Sequence, residues 1–205
     1  MKHPQRDIGE LRSVSERLGV PITEGQAGKL LDFERLLRDR AIPMGLVSES
    51  DAPRLRDRHV LDCLRAVATV RAAASAYDLG SGAGLPGVVV AIAAPALRMD
   101  LIESRRRRVS FLELAIEELG LANARVIHRR AQAVAEVVDL CFARAFAPLP
   151  EAWAAAARLL SPGGRLVYFG AVPRGGEVPR DARVLEVLSS AVLESAGPLV
   201  IMTRQ

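Results

Sequence analysis

A chain of 205 residues, 50% hydrophobic and 25% charged, has the apolar content for one sizeable core and lacks the composition of a disordered chain. Its net charge of +4 comes almost wholly from arginine, Lys2 and Lys29 being the only lysines, which suits an anionic partner without requiring one. Two distant cysteines, Cys63 and Cys141, without C-x-x-C spacing exclude a disulfide framework and a zinc site, so no metal site is expected.

The opening stretch, MKHPQRDIGELRS, holds no apolar core of the signal-peptide kind, and the longest apolar run, Val88 to Leu97, is too short to span a bilayer. A cytoplasmic protein without membrane contact is expected. The first seventy or so residues read as helices at Asp7 to Leu18, Thr23 to Arg40 and Ala52 to Val70. Gly19 suits the stop of the first, and Thr23 with Gln26 has the spacing of a capping box. AIPMGLVSESD, which contains Pro43 and Gly45, reads as a loop. A helical lobe, residues 1–72, is expected to pack on a domain formed by residues 73–205.

From Ala76 the rhythm changes to short apolar runs alternating with helical ones. Strands are expected at Ala76 to Leu79, Arg98 to Ile102, Arg125 to His128, Leu140 to Ala143, Gly164 to Phe169, Val192 to Ser195 and Leu199 to Thr203. Helices are expected at Pro86 to Ala94, Arg106 to Leu119, Ala131 to Val137, Glu151 to Leu160 and Arg180 to Leu188. The alternation implies an α/β fold with a mostly parallel seven-stranded sheet flanked by helices, whose ligands sit beyond the carboxyl ends of the strands.

The loop after the first strand, YDLGSGAGLPG, contains the spacing G-x-G-x-x-G at Gly82, Gly84 and Gly87, which taken alone is a dinucleotide signature. Asp78 argues for another ligand. A carboxylate beside the loop repels a pyrophosphate and attracts an ammonium or sulfonium, and S-adenosylmethionine carries both cations and no phosphate. Pro86, lacking an N–H, also blunts a helix start meant for an anion, although proline is structurally easy there. Asp78 and Gly82 are therefore assigned to cofactor binding, with a turn or helix cap as the competing role of Asp78. Glu103, at the end of the second strand, suits the hydroxyls of a ribose, which NAD shares; a solvated strand end is the competing role.

Four segments carry a more specific resemblance. DLGSGAGLPG, LIESRRRRVSFL, GLANARVIHRRAQ and ARAFAPL, preceded by RHVLDC at Arg58 to Cys63, resemble in order and spacing the bacterial 16S ribosomal RNA guanine-N7 methyltransferase family, ribosomal RNA small subunit methyltransferase G. The resemblance runs from about Arg58 to Leu149 and more weakly into the N-terminal helices. It implies the class I, Rossmann-like, S-adenosylmethionine-dependent methyltransferase fold and 16S rRNA or the small ribosomal subunit as partner. It places cofactor contacts on Gly80, Leu85, Glu103, Ala131, Gln132 and Arg144. Separately, a monomer is expected.

Methylation at guanine N7 uses a ring lone pair and releases no proton from that nitrogen, so no general base is obligatory and alignment is the main task. No N-P-P-Y or D-P-P-Y motif is present, and Cys141 lies inside an apolar run, away from a nucleophile's setting. Arg144 falls at the carboxyl end of the fourth strand, placed to orient the base or the cofactor; a salt bridge to Glu151 is its structural alternative. His59 and Asp62, one helical turn apart, are candidate support residues. Arg105, Arg106, Arg107 and Arg108 stand at a helix start, where they oppose the helix dipole, and with Arg130 and neighbouring Arg129 they form a candidate RNA-binding patch.

The chain departs from the family pattern at Gly45-Leu46-Val47, where Asn-Leu-Thr is usual, at Gln132, where glutamate is usual, and after the fifth strand. Two other functions stay open from the residues alone: a diverged methyltransferase with another RNA or small-molecule acceptor, and a non-catalytic nucleotide- or RNA-binding protein of the same fold.

Overall fold

The computed structural model describes residues 5–173, 178–193 and 195–205. Helix α1 (Gln5–Arg17) buries Ile8 and Leu11 and stops at Gly19, whose φ of 73° is the left-handed conformation glycine adopts easily. Helix α2 (Glu24–Leu36) starts with the expected capping box. The Gln26 N–H donates to Thr23 Oγ1 at 3.2 Å and the Thr23 N–H to Gln26 Oε1 at 2.8 Å. The same Gln26 amide donates to the carbonyls of Ile92 and Ala93, so one side chain both starts the helix and ties it to residues 92–93.

The helix expected over Ala52 to Val70 is instead a broken series. A 3-10 turn (Glu49–Arg54), a π segment (Leu55–Leu61), the short α3 (Asp62–Leu64) and a second 3-10 turn (Arg65–Thr69) follow one another. Pro53 supplies no N–H to the first turn, and π segments recur where a helix carries function.

The strands are β1 (Ser75–Leu79), β2 (Arg98–Glu103), β3 (Ala124–His128), β4 (Val138–Arg144), β5 (Leu160–Phe169), β6 (Ala182–Leu188) and β7 (Leu199–Arg204). They form one sheet in the order β3-β2-β1-β4-β5-β7-β6, parallel except where β7 runs antiparallel to β5 and β6. Helices α4 (Gly87–Ala93), α5 (Arg106–Glu118) and α6 (Leu149–Ala157) are the connections. Strand alternation splits the core in two. Leu101 and Phe142 face a cluster shared with α2, α4 and α5, whereas Tyr77, Leu79 and Cys141 face one that includes Trp153 of α6. The chain reverses direction across the sheet between β1 and β4, which opens a crevice at their carboxyl ends.

Three further elements differ from expectation. Residues 131–137 make only a 3-10 turn (Ala131–Ala133) before extending into β4. The Arg158 guanidinium takes the carbonyls of Ala131, Gln132 and Val134, replacing the bonds a helix would have supplied. The expected helix over Arg180 to Leu188 is strand β6, because β7 offers a full row of backbone partners and Val184 and Val187 suit a strand. The expected strand over Val192 to Ser195 is loop at Val192, Leu193 and Ser195, and Glu194 lies outside the described residues.

Candidate active site

The Gly-rich loop after β1 is held from below. The side chain of Asp78 sits on the α4 face of the sheet and its Oδ2 accepts the N–H of Gly87 at 3.0 Å, at the start of α4. Gly87 is obligatory there, because a Cβ would lie 2.6 Å from that oxygen and collide with Leu101. Asp78 is buried and does not line the cavity below, and its bond to Gly87 fits the competing capping role. Burial, the largest influence, pushes its carboxyl up to about 7. Gly80 has a φ of 67°, and a Cβ there would lie 2.7 Å from the ring of Phe146.

Glu103 ties the loop to the next strand. Its Oε1 accepts the N–H groups of Ser104 and Arg105 at 2.8 and 2.9 Å, and its Oε2 accepts that of Gly82 at 3.2 Å. Arg108 reaches Oε2 at 3.5 Å. Among the four arginines of the basic run, Arg108 thus turns inward, while Arg105, Arg106 and Arg107 stay exposed at the start of α5. Arg130 and Arg129 are exposed after β3, and His128 joins the two stretches through Ser104 O at 3.2 Å.

At the end of β4, Arg144 bonds to the 49–69 segment and not to Glu151. Its Nε donates to Asp62 Oδ2 at 3.4 Å, and its Nη2 donates to Arg58 O at 3.0 Å and meets His59 Nδ1 at 3.0 Å. His59 Nε2 lies 3.1 Å from Asp51 Oδ2. Burial first, then the Arg144 charge, hold His59 below its usual value, and Asp51 opposes them. The two expected support residues therefore both touch the expected orienting arginine. Two further partners carry no signal in the sequence. Asp51 has the pattern of an ordinary helix-start acid, and Arg65, which holds Asp62 at 2.8 Å, that of a helix face.

These groups surround a cavity of about 250 Å3. Gly80, Gly82 and Leu85 form its loop side, His59, Asp51 and Arg144 a polar side, and Arg108 closes it from α5. Leu46 and Val47 form an apolar wall. Ala131 and Gln132 stand apart from the cavity lining, beyond β3. Larger clefts, of about 430 Å3 along the β3 edge and 640 Å3 between α2 and the end of α5, contain none of the Gly-rich loop. Cys63 and Cys141 are buried, and burial pushes the Cys63 thiol up to about 12, which leaves it no nucleophile. Among the described residues no group of three or more acidic, histidine or cysteine side chains is placed to hold a metal ion, and no helix is long and apolar enough to cross a membrane.

The family model for rRNA small subunit methyltransferase G matches residues 26–194, which include the loop, Glu103, Arg144 and the 49–69 segment. The chain belongs to the rRNA small subunit methyltransferase G family. Ribosomal RNA small subunit methyltransferase G of Salinispora arenicola is 39% identical over 79% of this chain and 71% of its own length. That of Neisseria meningitidis serogroup A is 31% identical over 95% and 97%. Among solved structures, the SAH-bound Podospora anserina methyltransferase PaMTH1 is 12% identical, covers 86% of this chain and 88% of its own, and has a TM-score of 0.59, a likeness of fold alone. The fold of this family member is the Rossmann-like one of S-adenosylmethionine-dependent methyltransferases, with its seven-stranded, mostly parallel sheet.

Proposed function

We propose that the protein transfers a methyl group from S-adenosylmethionine to N7 of a guanine in 16S rRNA. Membership of the family makes it an S-adenosylmethionine-dependent methyltransferase; the acceptor atom and the residue roles are the proposal. The observation that carries N7 is the state of the titratable groups around the cavity. His59 is bonded at both ring nitrogens, and Asp51 is shared between His59 and the guanidinium groups of Arg54 and Arg58. A ring lone pair needs no proton acceptor, whereas an exocyclic amine must release a proton.

The residues present fit the cofactor. Gly82, at a φ of 58°, offers bare backbone on the cavity floor, with only Gly80 O near the place of a Cβ. Glu103 would take ribose hydroxyls, Leu85 would pack against the adenine, Arg108 or Arg144 would meet the carboxylate, and Asp51 would face the cationic end. Ala131 and Gln132 would complete the adenine side. When bound, the cofactor supplies an electrophilic methyl group on a sulfonium. The protein's own groups then orient the base, exclude water and hold the charge distribution ahead of transfer.

Exposed Arg105, Arg106, Arg107, Arg129 and Arg130 would take RNA phosphates, the protein acting as a cytoplasmic monomer whose 1–72 lobe packs on the 73–205 domain. Val47 on the apolar wall of the cavity, where the family pattern has threonine, and Gly45 in place of its asparagine favour a second reading, a related acceptor other than that guanine. Mass mapping of 16S rRNA from a strain lacking the gene, with and without the purified protein, tests the choice. Loss and restoration of one N7-methylguanine is expected; an unchanged methylation pattern overturns it.

A further inference from the structure

We propose that His59 is a positioning residue for Arg144: its Nδ1 accepts from Arg144 Nη2 and, with Asp51 at the other ring nitrogen, sets the guanidinium so that its Nη1 group is presented to the cavity. The inference rests on the methyltransferase reading only for what Nη1 meets. Of the five N–H groups of Arg144, Nε is used by Asp62 and the two on Nη2 by Arg58 O and His59 Nδ1. The two on Nη1 have no partner among the described residues, and Arg144 lines the cavity. They are the hydrogens left for an oxygen of cofactor or base.

Geometry dictates the state of the ring. Arg144 is always a donor, so Nδ1 must be bare; the ring proton then sits on Nε2 and is donated to Asp51 Oδ2. The Asp62 contact alone, at 3.4 Å, leaves the guanidinium free to swing about Nε, and the 3.0 Å bonds at Nη2 remove that freedom. Asp62 is itself immobilised by Arg65, whose guanidinium also takes the carbonyls of Leu188 and Gly197 at the far edge of the sheet. Protonating His59 would set an N–H against the Arg144 N–H and break the arrangement. The charged groups facing His59 are Asp51 from the preceding turn, Arg58 and Asp62 on its own segment, Arg144 from β4 and Arg108 across the cavity from α5.

Ring-nitrogen NMR of the intact protein without substrate reads the arrangement directly. The expected result is the Nε2–H form of His59 at neutral pH, with a titration midpoint below the ordinary 6.5; an Nδ1–H form, or a midpoint at or above 6.5, overturns the proposal. Methyl transfer to 16S RNA against pH supplies the second readout, with melting temperature as the folding control. Wild type should lose activity as pH falls below 6.5. His59→Leu, which strands a donor, should lower kcat/KM by about tenfold. His59→Asn, with an amide oxygen near the Nδ1 place, should restore most of that loss and show no acid limb. Asp51→Asn should move the limb to lower pH, because Asp51 opposes the downward influences on His59. An acid limb unchanged in His59→Asn, or full activity in His59→Leu, also overturns it. If wild type methylates no RNA, the functional reading fails while the NMR result still decides the role of His59.

Discussion

The Oδ2 atom of Asp78 accepts the backbone N–H of Gly87 at 3.0 Å, so a fully buried carboxyl joins β1 to the start of α4 beneath the Gly-rich loop. No side chain fits between them. Gly87→Ala should therefore lower stability by about 1–3 kcal/mol through overpacking against Asp78 and Leu101, seen as a reduced urea midpoint with an unchanged slope. A midpoint equal to wild type would mean that β1 and α4 part easily.

The same carboxyl makes stability depend on pH. Its value rises from 3.8 to about 7, so the folded protein holds this proton more tightly than the unfolded chain does. The contribution is full below 3.8 and is lost as pH rises toward 7. Relative to Asp78→Asn, wild type should lose stability over that range, by at most about 4 kcal/mol. Urea unfolding of both proteins at several pH values checks it; a difference independent of pH would show an ionised Asp78 in the fold.

Glu103 accepts three backbone N–H groups, two on Oε1 and one on Oε2. Glu103→Gln replaces one acceptor by a donor facing an N–H, which frees the loop at Gly82 or at Ser104. Calorimetric titration with S-adenosylhomocysteine should show affinity lower by about tenfold or more, with the melting temperature changed little. Unaltered affinity would remove Glu103 from the site.

Arg144→Lys keeps the charge and removes the fork that reaches Asp62, Arg58 and His59 together. Methyl transfer should fall by about 10- to 100-fold while circular dichroism stays native. Transfer near the wild-type rate would show that charge alone suffices.

Arg105, Arg106 and Arg107 are exposed, whereas Arg108 faces Glu103. Replacing the first three by glutamine should flatten the dependence of RNA affinity on salt by about 0.7–0.9 in log–log slope for each phosphate left without its arginine. Arg108→Gln should instead weaken cofactor binding. Filter binding over a salt series separates the two.

By itself the sequence determined the α/β alternation, the Gly-rich loop and its place after the first strand, because these depend on local periodicity and on glycine's backbone freedom. It also marked Arg144, His59 and Asp62, without showing that one guanidinium joins them. Tertiary structure decided the rest. Residues 180–188 carry apolar spacing compatible with helix or strand, and only the open edge of β7 selects β6. Asp78 lies beside the loop in sequence, yet the pleat of β1 turns it toward α4 and away from the cavity. Arg108 stands in a uniform run of four arginines, and only the position of Glu103 separates it from the three that face solvent. Local pattern fixes which way a chain segment is built, but the partner of a charged side chain is set by whatever the fold brings within about 3–4 Å of it.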